Sequence, residues 1–453
     1  MDIIYYSTNR HAPEVDLATA LLTGQAPDKG LYMPRPIPRL EPGELKHLAG
    51  KPYPEIAWTV LRPYAAAMIG DETLGRLCED AYNYPVPLEK VTGRSHVMRL
   101  DQGPTASFKD FAGRMMGRLL SHLVEARGGE LLILTATSGD TGSAIAHAFH
   151  KLPRIGVVVL FPKKEVSDRQ RKQMTTLGHN VATIAVDGKF DDCQALVKQA
   201  FADPALRRLH LSSANSINIG RLLPQAVYYV YAWAHLADTK GLEPILFSVP
   251  SGNFGDLMGG IFAREMGLPV ERFVVATNAN DEVPSFFASG RYRKIVPSRV
   301  CLSNAMNVGH PSNLARLVDL YGGWLDEAGE LKTRPDLDRI NRDFFAVSVD
   351  DEETRRTIIE AYRKHRLILE PHGAVGWAGL ERFLGEGKGT GRLAVSIETA
   401  HPAKFPEEIQ ALLRIDPALP PSLEGLDARP ESFGEMGVDY AAFRDYLTKE
   451  YGS

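Results

Sequence analysis

The chain has 453 residues, a formal net charge of −4 and the apolar, charged and glycine fractions of a globular protein, too long for one ordinary core and suggestive of two or three domains. The mild negative charge, with no basic run, argues against a nucleic-acid surface, and Cys78, Cys193 and Cys301, few, odd in number and far apart, fit a reducing compartment and exclude a CxxC metal site. No apolar stretch is long enough to cross a bilayer, the opening Met1-Asp2-Ile3-Ile4-Tyr5-Tyr6 lacks the pattern of a signal peptide, and the scattered histidines spell no HExxH motif.

The first ninety or so residues read as a helical and loop region of their own. Pro34, Pro36, Pro38 and Pro42 mark an extended surface segment, helical patterning runs from Pro54 to about Tyr82, and Ala26-Pro27-Asp28-Lys29-Gly30-Leu31-Tyr32 is a tight turn into a strand. Ser107-Phe108-Lys109-Asp110-Phe111 then sets one lysine between two aromatics at the opening of a helix. Apolar residues recur at Phe111, Met115, Leu119 and Leu123 and again at Ala112, Met116, Leu120 and Val124, a wide buried stripe. A cation at a buried helix start is disfavoured by desolvation and by the positive end of the helix dipole. Both push Lys109 toward the neutral amine that an imine-forming lysine requires. The competing reading is an ordinary, partly exposed lysine at a helix start.

From Glu130 onward strand and helix signals alternate, as in a parallel sheet with crossover helices. Strands are expected at 131–134, 156–161, 181–186, 244–249 and 393–397, and helices at 144–149, 165–177, 222–236, 257–266 and 407–413. The loops 135–143, 250–256 and 398–402 follow three of these strands and are rich in Gly, Ser, Thr and Asn. Open sheets place ligands at such carboxyl ends. Glycines admit an anion close to the backbone, hydroxyls donate to it, and the next helix adds free N–H groups. Neither a P-loop nor a Gly-x-Gly-x-x-Gly fingerprint is present, so ATP and NAD are disfavoured and a small phosphate ester fits. A fourth loop, 212–221, ends in Arg221 at a helix start and offers a second place for a phosphate. Its plain reading is a capping Ser216 and a solvated Arg221. The glycine-rich 385–391 reads as a surface loop.

Taken in order, Ser107-Phe108-Lys109-Asp110-Phe111, Thr137-Ser138-Gly139-Asp140-Thr141-Gly142, Ser251-Gly252-Asn253-Phe254-Gly255-Asp256 and Glu398-Thr399-Ala400-His401-Pro402-Ala403-Lys404-Phe405 resemble the threonine synthase family. The likeness runs nearly end to end, through Tyr6-Ser7-Thr8-Asn9, Ala276-Thr277-Asn278-Ala279-Asn280-Asp281 and Met306-Asn307-Val308-Gly309-His310-Pro311-Ser312-Asn313. It implies an α/β fold, that of the fold-type II pyridoxal-phosphate enzymes (tryptophan synthase β-like), with two α/β domains, parallel sheets and an N-terminal helical region. The boundaries would be 1–92 for the N-terminal region, 93–128 with 215–420 for the large cofactor-binding domain, 129–214 for the small domain, and 421–453 for a C-terminal tail.

The same resemblance assigns roles. Lys109 would be the Schiff-base lysine and proton carrier, Gly252, Asn253, Phe254, Gly255 and Asp256 would form the pyridoxal 5'-phosphate loop, and Thr399 would meet the pyridine nitrogen. A hydroxyl there does not enforce a protonated ring, so a milder electron sink is expected. Thr137, Ser138, Gly139 and Asp140 would grip the substrate carboxylate, and Thr141, Asn215, Ser216 and Arg221 the substrate phosphate. Asp140 stands where many fold-type II enzymes have asparagine, which leaves open whether it meets the cofactor protonated or through a neighbour.

The implied reaction converts O-phospho-L-homoserine and water to L-threonine and phosphate. Phospholytic cleavage, β-replacement on O-phosphoserine and dehydration of serine or threonine stay open on the same residues. The expected partner is a small phosphorylated amino acid, with no nucleic acid, membrane or metal, for a cytoplasmic monomer or homodimer. His372 reads as a packed or capping residue, His147 as structural, His401 as shaping the cofactor floor, and Arg291-Tyr292-Arg293-Lys294 as a solvated loop. Lys404, in a proline-bounded loop, is the weaker Schiff-base candidate.

Overall fold

Continuous apolar runs make strands that are covered on both faces, and two parallel sheets grow from them. The computed structural model describes residues 3–137, 139–385 and 391–452. In the smaller sheet Leu131–Ala136, buried throughout, lies between Ile155–Pro162 and the short Leu211–Ser213, and Val181–Val186 extends the sheet outward. In the larger sheet the equally buried Ile245–Pro250 and Leu393–Glu398 are neighbours. Val270–Thr277 and Phe344–Ser348 continue it on one side, Ser95–Arg99 and Leu88–Thr92 on the other. Within these two sheets only the last pair is antiparallel.

Each sheet has a point at which its strand order reverses. From Leu131–Ala136 the chain steps outward to Ile155–Pro162 and Val181–Val186, then returns to the opposite side as Leu211–Ser213. From Ile245–Pro250 it steps outward through Val270–Thr277 to Phe344–Ser348, then returns as Leu393–Glu398. Such reversals open a crevice beyond the carboxyl ends of the two flanking strands. The loops singled out in the sequence leave those strands.

Several elements differ from the sequence reading for local reasons. The expected helix 222–236 begins only at Ala226, after the 3₁₀ turns Ile219–Arg221 and Leu223–Gln225, because Pro224 has no N–H to give to an α-helix. The hairpin Leu88–Thr92 to Ser95–Arg99 and the strand Phe344–Ser348 were not anticipated, and the helix Pro371–Phe383 includes His372 in its first turn. Residues 421–453, expected as a tail, carry the strand Gly434–Met436, which pairs with Val181–Val186, and the helix Tyr440–Tyr451. Phe443 and Leu447 of that helix share a buried cluster with Leu196 and Val197 of Phe190–Ala202. This stretch is therefore built into the smaller sheet.

The N-terminal region props the lysine helix. Ile4–Ser7 pairs antiparallel with Tyr32–Arg35, and the helices Tyr53–Ala65 and Asp71–Ala81 follow. Phe111 is enclosed by Tyr53, Tyr82, Tyr84 and Tyr228 at ring-centroid distances of 5.4, 6.1, 5.1 and 5.7 Å. Arg114, one turn on, donates to the carbonyls of Ala81 at 2.7 Å and Asp80 at 2.6 Å, capping the end of Asp71–Ala81. Among the described residues no helix is long and apolar enough to cross a membrane, and no group of three metal-ligating side chains occurs.

Candidate active site

Both crevices open into one cleft of about 2140 Å³, larger than the roughly 300–1000 Å³ usual for a ligand pocket. Lys109, Thr137, Asp140, Thr141, Asn215, Ser216, Arg221, the run Gly252 to Asp256 and Thr399 all line it. Ser138 lies outside the described residues, and Gly139 is turned away: at φ 138° its side-chain position is filled by Gln170.

Lys109 is the first residue of the helix Lys109–Arg127, and the segment before it is tied to the loop that follows the strand Leu393–Glu398, the floor expected from the sequence. Phe108 N–H donates to the Thr399 carbonyl at 2.9 Å, His401 N–H to the Ala106 carbonyl at 3.1 Å, and Ser107 bridges Ala400. The lysine and the floor thus form one piece. The amine lies 4.8 Å from the Phe108 ring centroid. Burial lowers its pKa; Asp140 opposes that shift, while Lys404 and Arg221 reinforce it.

Asp140 opens the helix Asp140–Phe149 and is held by two side chains. Its Oδ1 is 2.6 Å from the Lys404 ammonium and accepts from Gln170 Nε2 at 3.0 Å. Burial alone would raise the carboxyl, but Lys404 and then Lys109 hold it well below the usual carboxylate range. It is an ionised group with a committed partner. Lys404, almost inaccessible, also donates to the Thr105 carbonyl at 3.1 Å. Sequence reasoning had Lys404 only as the weaker Schiff-base candidate and missed this pairing. Thr137 shapes its own loop, its Oγ1 accepting from Gly139 N–H at 2.9 Å and Gly142 N–H at 2.8 Å.

The phosphate-type elements meet across the two sheets. Asn253 Nδ2 donates to Ser216 Oγ at 2.5 Å, Asn253 Oδ1 accepts from Ser312 N–H at 2.6 Å, and Asn215 Oδ1 accepts from Thr135 Oγ1 at 2.6 Å. A side chain at Gly252 would lie 2.8 Å from Met306 Cα. Phe254 takes a left-handed φ of 63° and starts the helix Gly255–Glu265 at the cleft, with its first N–H groups free of helical partners. Asp256, one residue into that helix, accepts from Tyr228 Oη at 2.6 Å and Tyr229 Oη at 2.7 Å, and burial pushes it up to about 6.

Arg221 is only 4% exposed. Its Nη1 donates to the Ala214 carbonyl at 2.6 Å, its Nε has no partner among the described residues, and burial pulls its pKa down to about 10. A buried guanidinium with a spare donor is suited to an incoming anion. Arg316, which the sequence did not single out, ties down the same loop, 212–221. It is fully buried and bonds to the Tyr32, Ser216 and Ile217 carbonyls and to Asn313 Oδ1 at 3.1, 3.2, 2.7 and 2.6 Å, and burial pulls it down to about 9. Its only trace in the sequence is an arginine inside the apolar helix Leu314–Leu320.

Three family models cover the chain: Threonine synthase N terminus over residues 4–82, Pyridoxal-phosphate dependent enzyme over 83–397, and Threonine synthase, C-terminal over 373–447. The threonine synthase of Haemophilus influenzae is 40% identical over 98% of this chain and 99% of its own, and that of Serratia marcescens 39% identical over 95% and 97%. The crystal structure of a pyridoxal-phosphate-bound threonine synthase from Brucella melitensis matches with a TM-score of 0.92 at 34% identity, covering 100% of both chains. Two switch-point crevices sharing a buried lysine and a glycine loop define a fold-type II pyridoxal-phosphate enzyme. The residues present fit that cofactor, with a desolvated amine at Lys109 and, at Gly252, a loop position that a Cβ would block. More narrowly, the chain belongs to the threonine synthase family.

Proposed function

We propose that the chain converts O-phospho-L-homoserine and water to L-threonine and phosphate, the reaction that its family name denotes. The observation that carries this is Arg221: a buried guanidinium with a free Nε in the same cleft as Lys109, on a different loop from the glycine run. One phosphate site would suffice for serine or threonine dehydration; this substrate needs two.

Pyridoxal phosphate, when bound, supplies the electron sink for the carbanion at the substrate's Cα. Gly252, Asn253, Phe254 and Gly255 would hold its phosphate at the helix start, and Thr399 its ring nitrogen. Asp256, held by two tyrosines, would support this loop. The Lys109 amine, kept from firm protonation by burial, removes the proton at Cα and then at Cβ and returns one at Cγ. Asn215, Ser216, Thr141 and Arg221 would take the phosphate leaving Cγ. The Asp140 carboxylate is committed to Lys404, so the substrate carboxylate falls to the hydroxyls and N–H groups of the Thr137 loop and the helix start behind it. Water then adds its hydroxyl at Cβ, Lys109 returns its remaining proton to Cα, and the proton left from water goes out with the phosphate.

The enzyme, supplied with pyridoxal phosphate and O-phospho-L-homoserine, should release phosphate and threonine in equal amounts. Phosphate with 2-oxobutyrate would make it a lyase, and neither product would remove the reading. We also place it in the cytoplasm as a monomer or homodimer, in keeping with biosynthetic relatives; sedimentation of the holoenzyme decides between the two states.

A further inference from the structure

Glu370 is fully buried and closes the start of the helix Pro371–Phe383. Its Oε2 accepts from the His372 backbone N–H at 2.7 Å and the His372 ring at Nδ1, 2.5 Å away. Its Oε1 accepts from Gly373 N–H at 2.9 Å and from the Thr399 hydroxyl at 3.4 Å. The tautomer of His372 is fixed, because Nε2 accepts from Ala305 N–H at 3.1 Å and the ring proton must therefore sit on Nδ1. Four donors thus surround Glu370, and an ionised carboxylate is the form with room for all of them. Thr399 has one hydroxyl proton. With that proton on Glu370, its oxygen has only lone pairs left for the cleft that it lines.

We propose that Thr399 accepts a hydrogen bond from the cofactor's ring nitrogen instead of donating one, so that this chain holds the ring protonated, with Glu370 as counter-charge through the hydroxyl. This rests on the assignment of Thr399 to the cofactor floor, and it reverses the milder electron sink expected from a hydroxyl alone. The ring proton is taken from solvent as the cofactor binds. Glu370 is a positioning residue. Hydrogen bonding to the charged form of a group favours that form, and the groups nearby do not cancel the effect. Behind Glu370, burial and then Glu370 itself raise the pKa of Glu398, and Arg99, 3.6 Å from its Oε1, offsets its charge. His401, pulled down to about 4 by burial, is neutral. On the opposite side Lys404 is paired with Asp140.

The test is the ring-nitrogen resonance of holoenzyme reconstituted with cofactor carrying nitrogen-15 in the ring. Wild type and Thr399→Ser should show the pyridinium position, and Thr399→Val should move to that of a neutral pyridine. Glu370→Gln should move the same way, since an amide facing Thr399 donates to it and turns the hydroxyl proton toward the ring. A neutral nitrogen in wild type that still responds to Thr399→Val would keep the floor assignment and overturn the proposal. A pyridinium that persists in folded Glu370→Gln would overturn the relay. A resonance indifferent to Thr399→Val would show that the ring lies elsewhere and remove the floor assignment itself.

Discussion

Lys404 and Asp140 show how a residue's task is set by what folding brings beside it. In the sequence one lies in a proline-rich turn and the other at a helix start, with nothing to link them. Together they form a buried pair next to Lys109. Removing one partner of such a pair costs about 3–5 kcal/mol. Lys404→Met should therefore destabilise the protein by that order in urea unfolding, and adding Asp140→Asn should recover part of the loss. The pair also has a pH signature. Asp140 titrates below its unfolded value of about 3.9, so its stabilising contribution is complete above that pH and is lost as pH falls through the folded value. The gap in stability between wild type and Lys404→Met should accordingly be steady near neutrality and narrow in acid. Arg221→Ala should raise KM for O-phospho-L-homoserine about ten- to a hundredfold, the worth of a charge-assisted bond of roughly 1.5–3 kcal/mol. An unchanged KM would put the leaving phosphate elsewhere. Lys109 and Arg221 were legible in the sequence because each begins a patterned helical stretch. Lys404, Arg316 and Glu370 were not, because their partners come from distant segments and leave no periodic trace.

At the level of elements, the sequence spoke most clearly where strands are buried on both faces. Leu131–Ala136 and Ile245–Pro250 are unbroken apolar runs, and the loops after them were found with them. The hairpin Leu88–Thr92 to Ser95–Arg99 escaped notice because its edge strand is short, charged and largely exposed. The lysine helix depends on the N-terminal region through Phe111. Phe111→Ala would empty the space among four tyrosines and cost about 3–5 kcal/mol. Two residues from Lys109, the same change should weaken cofactor binding, measured by titrating the visible band of the holoenzyme. Binding as tight as wild type at reduced stability would show that the aromatic cage supports the fold without setting the lysine.

For the whole molecule, the site exists only where the two sheets meet. Asn253 of the larger sheet bonds Ser216 after the smaller one, and Gln173 Nε2 reaches the Thr105 carbonyl at 3.1 Å. A ligand bridging both sheets should stabilise them together, so the midpoint of thermal unfolding should rise with cofactor concentration in a single transition. Two separate transitions, with only one moved by the cofactor, would mean that the sheets unfold apart.

The strand Gly434–Met436 has a consequence for how the protein is made. Val181–Val186 leaves the ribosome some 250 residues ahead of its neighbour, and until that neighbour arrives it is a bare hydrogen-bonding edge able to recruit strands from other chains. A chain stopped at residue 430 keeps every residue of the cleft yet should scatter light and elute as aggregates, and a peptide spanning 431–452 supplied during refolding should restore it.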